Sequence, residues 1–127
     1  MEQGQEVEEF KKRSVLVVCW AGSDRSGYIA DELNKRGYAA FQAGVMEGQN
    51  YVTQEDLSNV GTIVFSSLFE KREFDKDKRL AQYTKKNGIG IRVLNVTESD
   101  KDRAHSTGNT PALKGQIATQ LDSVGLK

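Results

Sequence analysis

Cysteine, proline and histidine are almost absent from this sequence. Among its 127 residues there is one cysteine, one proline and one histidine. A single cysteine cannot form an internal disulfide, and it excludes a zinc site built from several thiolates. Whatever chemistry the thiol of Cys19 performs must therefore depend on its surroundings and not on a second sulfur atom in the same chain.

An excess of one charge and a long apolar run are also missing. The 18 basic and 18 acidic residues give a net charge of +0, so no overall field attracts nucleic acid or an anionic membrane. No apolar run approaches the roughly 20 residues of a membrane-spanning helix, and no secretory signal is found before Val15. We therefore expect a soluble, cytoplasmic monomer that binds neither nucleic acid nor membrane.

The most informative stretch is a strand, a cysteine and a polar turn in series. Residues 15–33 read VLVVCWAGSDRSGYIADEL, in which a β-favouring apolar run ends at Cys19, a small polar loop follows and an amphipathic helix begins. A thiol in this place faces a helix N-terminus, where free N–H groups and the helix dipole favour anions. The stretch predicts an anion site with a nucleophile inside it.

The residue types of this loop suit the binding of an oxyanion. Loop N–H groups, a helix N-terminus and a guanidinium can lower the pKa of a cysteine from about 8.5 to about 3.5–7.5. Gly22 lets the backbone curl around phosphate oxygens, and Arg25 can hold two of them as a planar fork. Ser26 can donate its hydroxyl to the sulfur. The expected phosphate-binding positions are Trp20, Ala21, Gly22, Ser23, Asp24 and Arg25.

The run from Cys19 to Ser26, CWAGSDRS, resembles the C-x5-R-[S/T] signature of the cysteine-dependent protein tyrosine phosphatases. Its context is similar to that of the low-molecular-weight branch, because only 18 residues precede Cys19, too few for a domain that carries the general acid ahead of the cysteine. The resemblance implies hydrolysis of a phosphotyrosine protein or a small aryl phosphate through a phosphocysteine intermediate. It implies no metal and no organic cofactor.

The resemblance also implies a general acid after the fourth strand, where the family has an Asp-Pro sequence. Here the corresponding segment reads TESDKD and has no proline. Asp100 is the first choice because it lies a few residues beyond the strand end, Glu98 is nearest to the family position and Asp102 follows closely. All three also fit ordinary solvated loop acids. His105 is interpreted as a polar loop residue in preference to a proton donor.

Two aromatic residues are candidates for contact with the substrate ring. Tyr51 lies in the loop that the family places beside its active site, and Trp20 lies in the phosphate loop itself. Either could instead be a partly exposed packing residue. Tyr51 is the preferred substrate-pocket residue.

The sequence leaves alternatives to a working phosphatase open. Asp24 adds a negative charge next to Arg25, and the loop lacks the Asn that usually follows a Gly in this family. The main alternative is a phosphatase-like domain that binds phosphate but turns it over weakly. A cysteine phosphocarrier is a third hypothesis, against which Arg25 argues, because a carrier needs a slowly hydrolysed phosphocysteine.

The alternation of strands and helices predicts one α/β domain over residues 14–127, preceded by a flexible or short helical lead-in at residues 1–13. We expect a three-layer αβα arrangement with a four-stranded parallel sheet, and the resemblance implies the strand order 2-1-3-4, of flavodoxin-like or low-molecular-weight phosphatase type. Strands are predicted at 14–18, 38–42, 61–65 and 89–96, and helices from Ser26, after Thr53, over 68–86 and from Thr110.

Overall fold

The computed structural model describes residues 13–20, 24–46, 48, 50–97, 106–108 and 110–127, with the backbone alone for Asp24 and Arg25. The strands are β1 (Ser14–Cys19), β2 (Ala39–Gly44), β3 (Thr62–Phe65) and β4 (Gly90–Val93). The helices are α1 (Asp24–Lys35), α2 (Gln54–Ser58), α3 (Leu68–Asp75), α4 (Lys78–Lys86) and α5 (Thr110–Ser123). Within these ranges no helix is long and apolar enough to cross a membrane.

The four strands form one parallel sheet in the order β2-β1-β3-β4. This confirms the predicted α/β class and strand order, and the arrangement is flavodoxin-like. All residues of β1 are buried, and β1 pairs with a strand on each side. A parallel strand covered on both faces needs a continuous apolar run, which explains the composition of the segment before Cys19.

Two apolar cores lie on the two faces of the sheet. Because side chains alternate along a strand, Val15 and Val17 point to one face, and Leu16 and Val18 point to the other. On the first face they pack with residues of α1 and α5, namely Ile29, Ala30, Leu33, Leu113, Ile117 and Leu121. On the second face they pack with residues of α2, α3 and α4, namely Leu57, Phe74 and Leu80. Cys19 continues the side of β1 that faces α1.

The helix predicted over residues 68–86 is two helices, α3 and α4. The break falls before Asp77, whose carboxylate caps α4 by accepting hydrogen bonds from two backbone N–H groups of its first turn. Phe69 is 54% exposed, whereas Phe74 is buried. The ring of Phe74 packs edge-on against Phe65, with centroids 5.2 Å apart.

Other element boundaries differ from the predictions by a few residues. The strand β1 extends through Cys19 because its pairing with β2 continues to Gly44, beyond the apolar run. The helix α1 begins at Asp24, two residues before the predicted start at Ser26. The helix predicted after Thr53 is α2, and Thr53 caps it with a capping box that it shares with Asp56.

Arg36 ties the end of α1 to the C-terminal helix. Its guanidinium donates hydrogen bonds to Glu32 at 3.0 Å, to Asp122 at 2.6 Å, and to the backbone carbonyls of Ala118 and Leu126 at 3.1 and 3.2 Å. Burial by itself would lower the pKa of Arg36, but the hydrogen bonds to Asp122 and Glu32 outweigh it, so the pKa lies above its ordinary value. The positive charge is therefore permanent, and it holds two distant segments together.

Replacing Arg36 with alanine is expected to lower the free energy of unfolding by about 2 kcal/mol, because several hydrogen bonds to one charged group are lost. Urea denaturation measures this change. Arg72→Ala, at an exposed position of α3, is the control and should change the free energy by less than about 0.5 kcal/mol. Equal effects of the two variants would contradict a stabilising role for Arg36.

Candidate functional site

Cys19 lies at the carboxyl end of β1, in the middle of the sheet. It is 2% exposed and pairs with Gly44 at the end of β2. The order of the strands reverses between β1 and β3, and ligands of parallel α/β sheets bind outside the carboxyl ends of the strands at such a switch point. The fold therefore brings the only thiol of the sequence to the edge where a ligand site is expected.

Two polar side chains connect the thiol to β2, the outermost strand on that side of the sheet. The Cys19 thiol donates to Ser26 Oγ at 3.4 Å, and the Ser26 hydroxyl donates to Gln42 Oε1 at 3.0 Å. The sequence predicts that Ser26 donates a hydrogen bond to an ionised sulfur. In this structure the sulfur is a protonated thiol, so the sulfur is the donor and Ser26 Oγ is the acceptor. A hydroxyl both donates and accepts, and the Gln42 amide offers both kinds of group, so this chain of contacts can serve either protonation state.

The start of α1 lies directly after the thiol in the chain. Ser26 is fully buried and lies near the N-terminus of this helix, where backbone N–H groups have no partner within the helix. Residues 21–23, predicted to curl around phosphate, lie outside the described residues, as do Glu98, Asp100, Asp102 and His105. The predicted roles of the Asp24 and Arg25 side chains are likewise not tested.

The chain leaving β2 supports the backbone at the start of the loop. The N–H of Val45 donates to the carbonyls of Cys19 and Trp20 at 3.2 and 3.0 Å. The N–H of Met46 also donates to the Trp20 carbonyl, at 2.9 Å. On the outer side of β2, Gly44 pairs with Tyr51, donating to the Asn50 carbonyl at 2.8 Å. Gly44 therefore lies between Cys19 on one side and Tyr51 on the other.

A cavity of about 380 Å³ opens beside this support. Its lining residues are Trp20, Val45, Met46, Tyr51, Glu73, Lys76 and Asp77. Trp20 packs against the ring of Phe69, with centroids 5.4 Å apart, and the Tyr51 hydroxyl donates to Asp77 at 3.3 Å. The two aromatic residues named from the sequence therefore line one cavity, and Trp20 is the residue after Cys19.

Glu70 is a buried acid at this edge that the sequence analysis missed. It lies in the first turn of α3, is 1% exposed, and accepts a hydrogen bond from the hydroxyl of Ser67. The spacing Ser67-x-x-Glu70 is typical of a helix start, but the Ser67 side chain bonds to the carboxylate and does not cap the helix backbone. The pattern could have located the helix, while nothing in it indicates that the charge is buried.

No protein-family model matches this chain, and a search of curated proteins finds no relative. Among solved structures, the chain is similar to rubredoxin oxygen:oxidoreductase from the anaerobe Desulfovibrio gigas, with 15% identity and a TM-score of 0.39. The similarity covers 92% of this chain and 40% of that protein. Within the described ranges, no three His, Cys, Asp or Glu residues are grouped so as to hold a metal ion.

Ser26→Ala is expected to slow the alkylation of Cys19 by iodoacetamide about tenfold at neutral pH, because the ionised sulfur loses a hydroxyl donor. The reaction is followed by intact-protein mass. Ser58→Ala, which removes a hydroxyl bonded to a backbone carbonyl in α2, is the control and should react at the parental rate. An unchanged rate in Ser26→Ala would show that this hydroxyl does not stabilise the reactive form.

Proposed function

We propose that this protein is a cysteine-dependent phosphomonoester hydrolase that acts in the cytoplasm on phosphotyrosine or a small aryl phosphate. The observation that carries the proposal is the position of Cys19, buried at the carboxyl end of the central strand with its thiol bonded to Ser26 near the start of α1. A thiol beside a helix N-terminus, with a hydroxyl at the sulfur, is placed for attack on an anion.

The proposed reaction has two steps. The Cys19 thiolate attacks phosphorus, so that a sulfur–phosphorus bond forms while the bond from phosphorus to the ester oxygen breaks. The leaving oxygen takes up a proton from a general acid, which releases the alcohol. Water then attacks the phosphocysteine, gives one proton to the same carboxylate and releases inorganic phosphate, and the thiolate is restored.

The remaining roles come from the resemblance stated above. Arg25 and the N–H groups from Trp20 to Arg25 would hold the equatorial oxygens of the transferring phosphoryl group. Asp100 is the proposed general acid, with Glu98 and Asp102 as the alternatives that the sequence leaves open. No metal or organic cofactor takes part in the proposed reaction.

The preference for an aryl ester is supported by the cavity next to Trp20. Its walls include the rings of Trp20 and Tyr51, and Tyr51 is fixed at both ends, by the pairing with Gly44 and by its hydroxyl bond to Asp77. An aromatic ring gains contact area and favourable ring geometry between such side chains. A cavity of this kind favours a phenolic leaving group over a short alkyl one.

The test of the proposed function is hydrolysis of p-nitrophenyl phosphate by the purified protein. We expect turnover that vanadate inhibits and that Cys19→Ser lowers at least about a thousandfold, because the nucleophile is removed. Arg72→Ala, at an exposed position of α3, is the matched control and should keep parental activity.

Two outcomes would overturn this function. Activity retained in Cys19→Ser would reject the nucleophile. Saturable phosphate binding by the parent protein without measurable turnover would favour the phosphate-binding domain that lacks effective catalysis.

Tyr51→Ala is expected to raise KM for p-nitrophenyl phosphate about tenfold, and to leave KM for a short alkyl phosphate within about twofold, because only the aryl group contacts the ring. Steady-state kinetics on the two substrates measures the difference. Tyr83→Ala, which alters a half-buried tyrosine of α4 away from this cavity, is the control. Equal changes for both substrates would show that Tyr51 does not determine the preference.

A further inference from the structure

The hydroxyl of Ser66 is buried without a hydrogen-bond partner. Ser66 follows the end of β3 and is fully buried, and among the residues that the structure describes its Oγ makes no hydrogen bond. Its backbone is held on both sides, since its N–H donates to the Val18 carbonyl at 2.9 Å and its carbonyl accepts from Val96 at 2.7 Å. Burying a hydroxyl without a partner costs free energy, so such a group needs an explanation.

The register of the sheet places Ser66 next to Cys19. Val18 pairs with Phe65, so the following residues, Cys19 and Ser66, are neighbours at the carboxyl ends of β1 and β3. Neighbouring strands lie about 4.8 Å apart. Val17 and Val64 share the face covered by α1, and by alternation Cys19 and Ser66 return to that same face two residues later. Ser66 therefore flanks Cys19 on the β3 side.

We infer that Ser66 is a second positioning residue, which donates its hydroxyl to the Cys19 sulfur when that sulfur is ionised. In this structure the thiol proton goes to Ser26, the neutral sulfur is a weak acceptor, and the Ser66 hydroxyl makes no hydrogen bond to it. A thiolate is a charged acceptor and forms much stronger hydrogen bonds. A bond that forms only with the charged state favours that state. This inference rests on the proposed function only in taking ionised Cys19 as the reactive form.

Replacing Ser66 leaves the other ionisable residues near this edge unchanged. Asp24 and Arg25 belong to α1, Glu70 is buried in α3 and bonded to Ser67, and Asp77 lies across the aromatic cavity. The neighbouring positions of β2 are Ala43 and Gly44, which carry no charge. A substitution at Ser66 alone leaves all of these groups in place, so it isolates the contribution of the hydroxyl.

The test is a pH titration of the thiolate by its ultraviolet absorbance. Because the sequence has one cysteine, subtracting the titration of Cys19→Ser leaves the signal of Cys19 alone. In Ser66→Ala and Ser66→Gly we expect the midpoint to move to higher pH by about one pH unit. Thr84→Val removes a buried hydroxyl in α4 that donates to the Leu80 carbonyl, and its midpoint should equal that of the parent.

A stability measurement separates this role from a structural one. At a pH where Cys19 is protonated, Ser66→Ala should unfold at a urea concentration no lower than the parent, because the removed group had no partner in the described structure. Midpoints in both Ser66 variants that match the parent would overturn the inference.

The titration needs no substrate, so its result is independent of the proposed function. An inactive parent protein with a shifted Ser66→Ala midpoint would reject the hydrolase and keep the inference. An active parent protein without the shift would overturn the inference and keep the hydrolase.

Discussion

The pairing of β1 on both sides is the constraint on which the rest of this structure depends. A central parallel strand must be apolar on both faces, and it ends where its partners end. The residue at that end is Cys19, which is held between Gly44 of β2 and the segment after β3. The backbone at the end of β1 is thereby held by strands on both sides, and the Cys19 thiol is bonded to Ser26 of α1.

Several polar side chains are buried near the carboxyl edge of the sheet. Ser26, Ser66, Ser67 and Glu70 are all buried, and all lie near the carboxyl edge of the sheet or at the start of a helix that follows it. Burying polar groups lowers stability unless they are bonded, and among the described residues Ser26, Ser67 and Glu70 are bonded whereas Ser66 Oγ is not.

The aromatic cavity is formed in part by the same chain segment that supports the backbone of Cys19. The segment after β2 donates hydrogen bonds to the carbonyls of Cys19 and Trp20 and then returns to pair Tyr51 with Gly44. The segment after β2 thus bonds to the backbone where the loop begins and also lines the cavity, through Val45, Met46 and Tyr51. Changes in this stretch are expected to affect the thiol and the cavity together.

Much of this arrangement could be predicted from the sequence. The run before Cys19 is apolar at every position, which is typical of a central parallel strand, and the spacing of Leu113, Ile117 and Leu121 predicts the buried face of α5. The single helix predicted over residues 68–86 was wrong, because the Asp77 carboxylate caps the start of a second helix there. Glu70 and Ser66 were missed because burial of a polar side chain is decided by its neighbours in space.

The central claim is that Cys19 forms a covalent bond to phosphorus during turnover. Mixing the protein with p-nitrophenyl phosphate, quenching with acid within the first turnover and measuring the intact mass tests it most directly. The account predicts a transient species heavier by one phosphoryl group, located on the peptide that contains Cys19 and absent from Cys19→Ser. Turnover in which no phosphorylated protein forms at any time, or phosphate found on another residue, would contradict it.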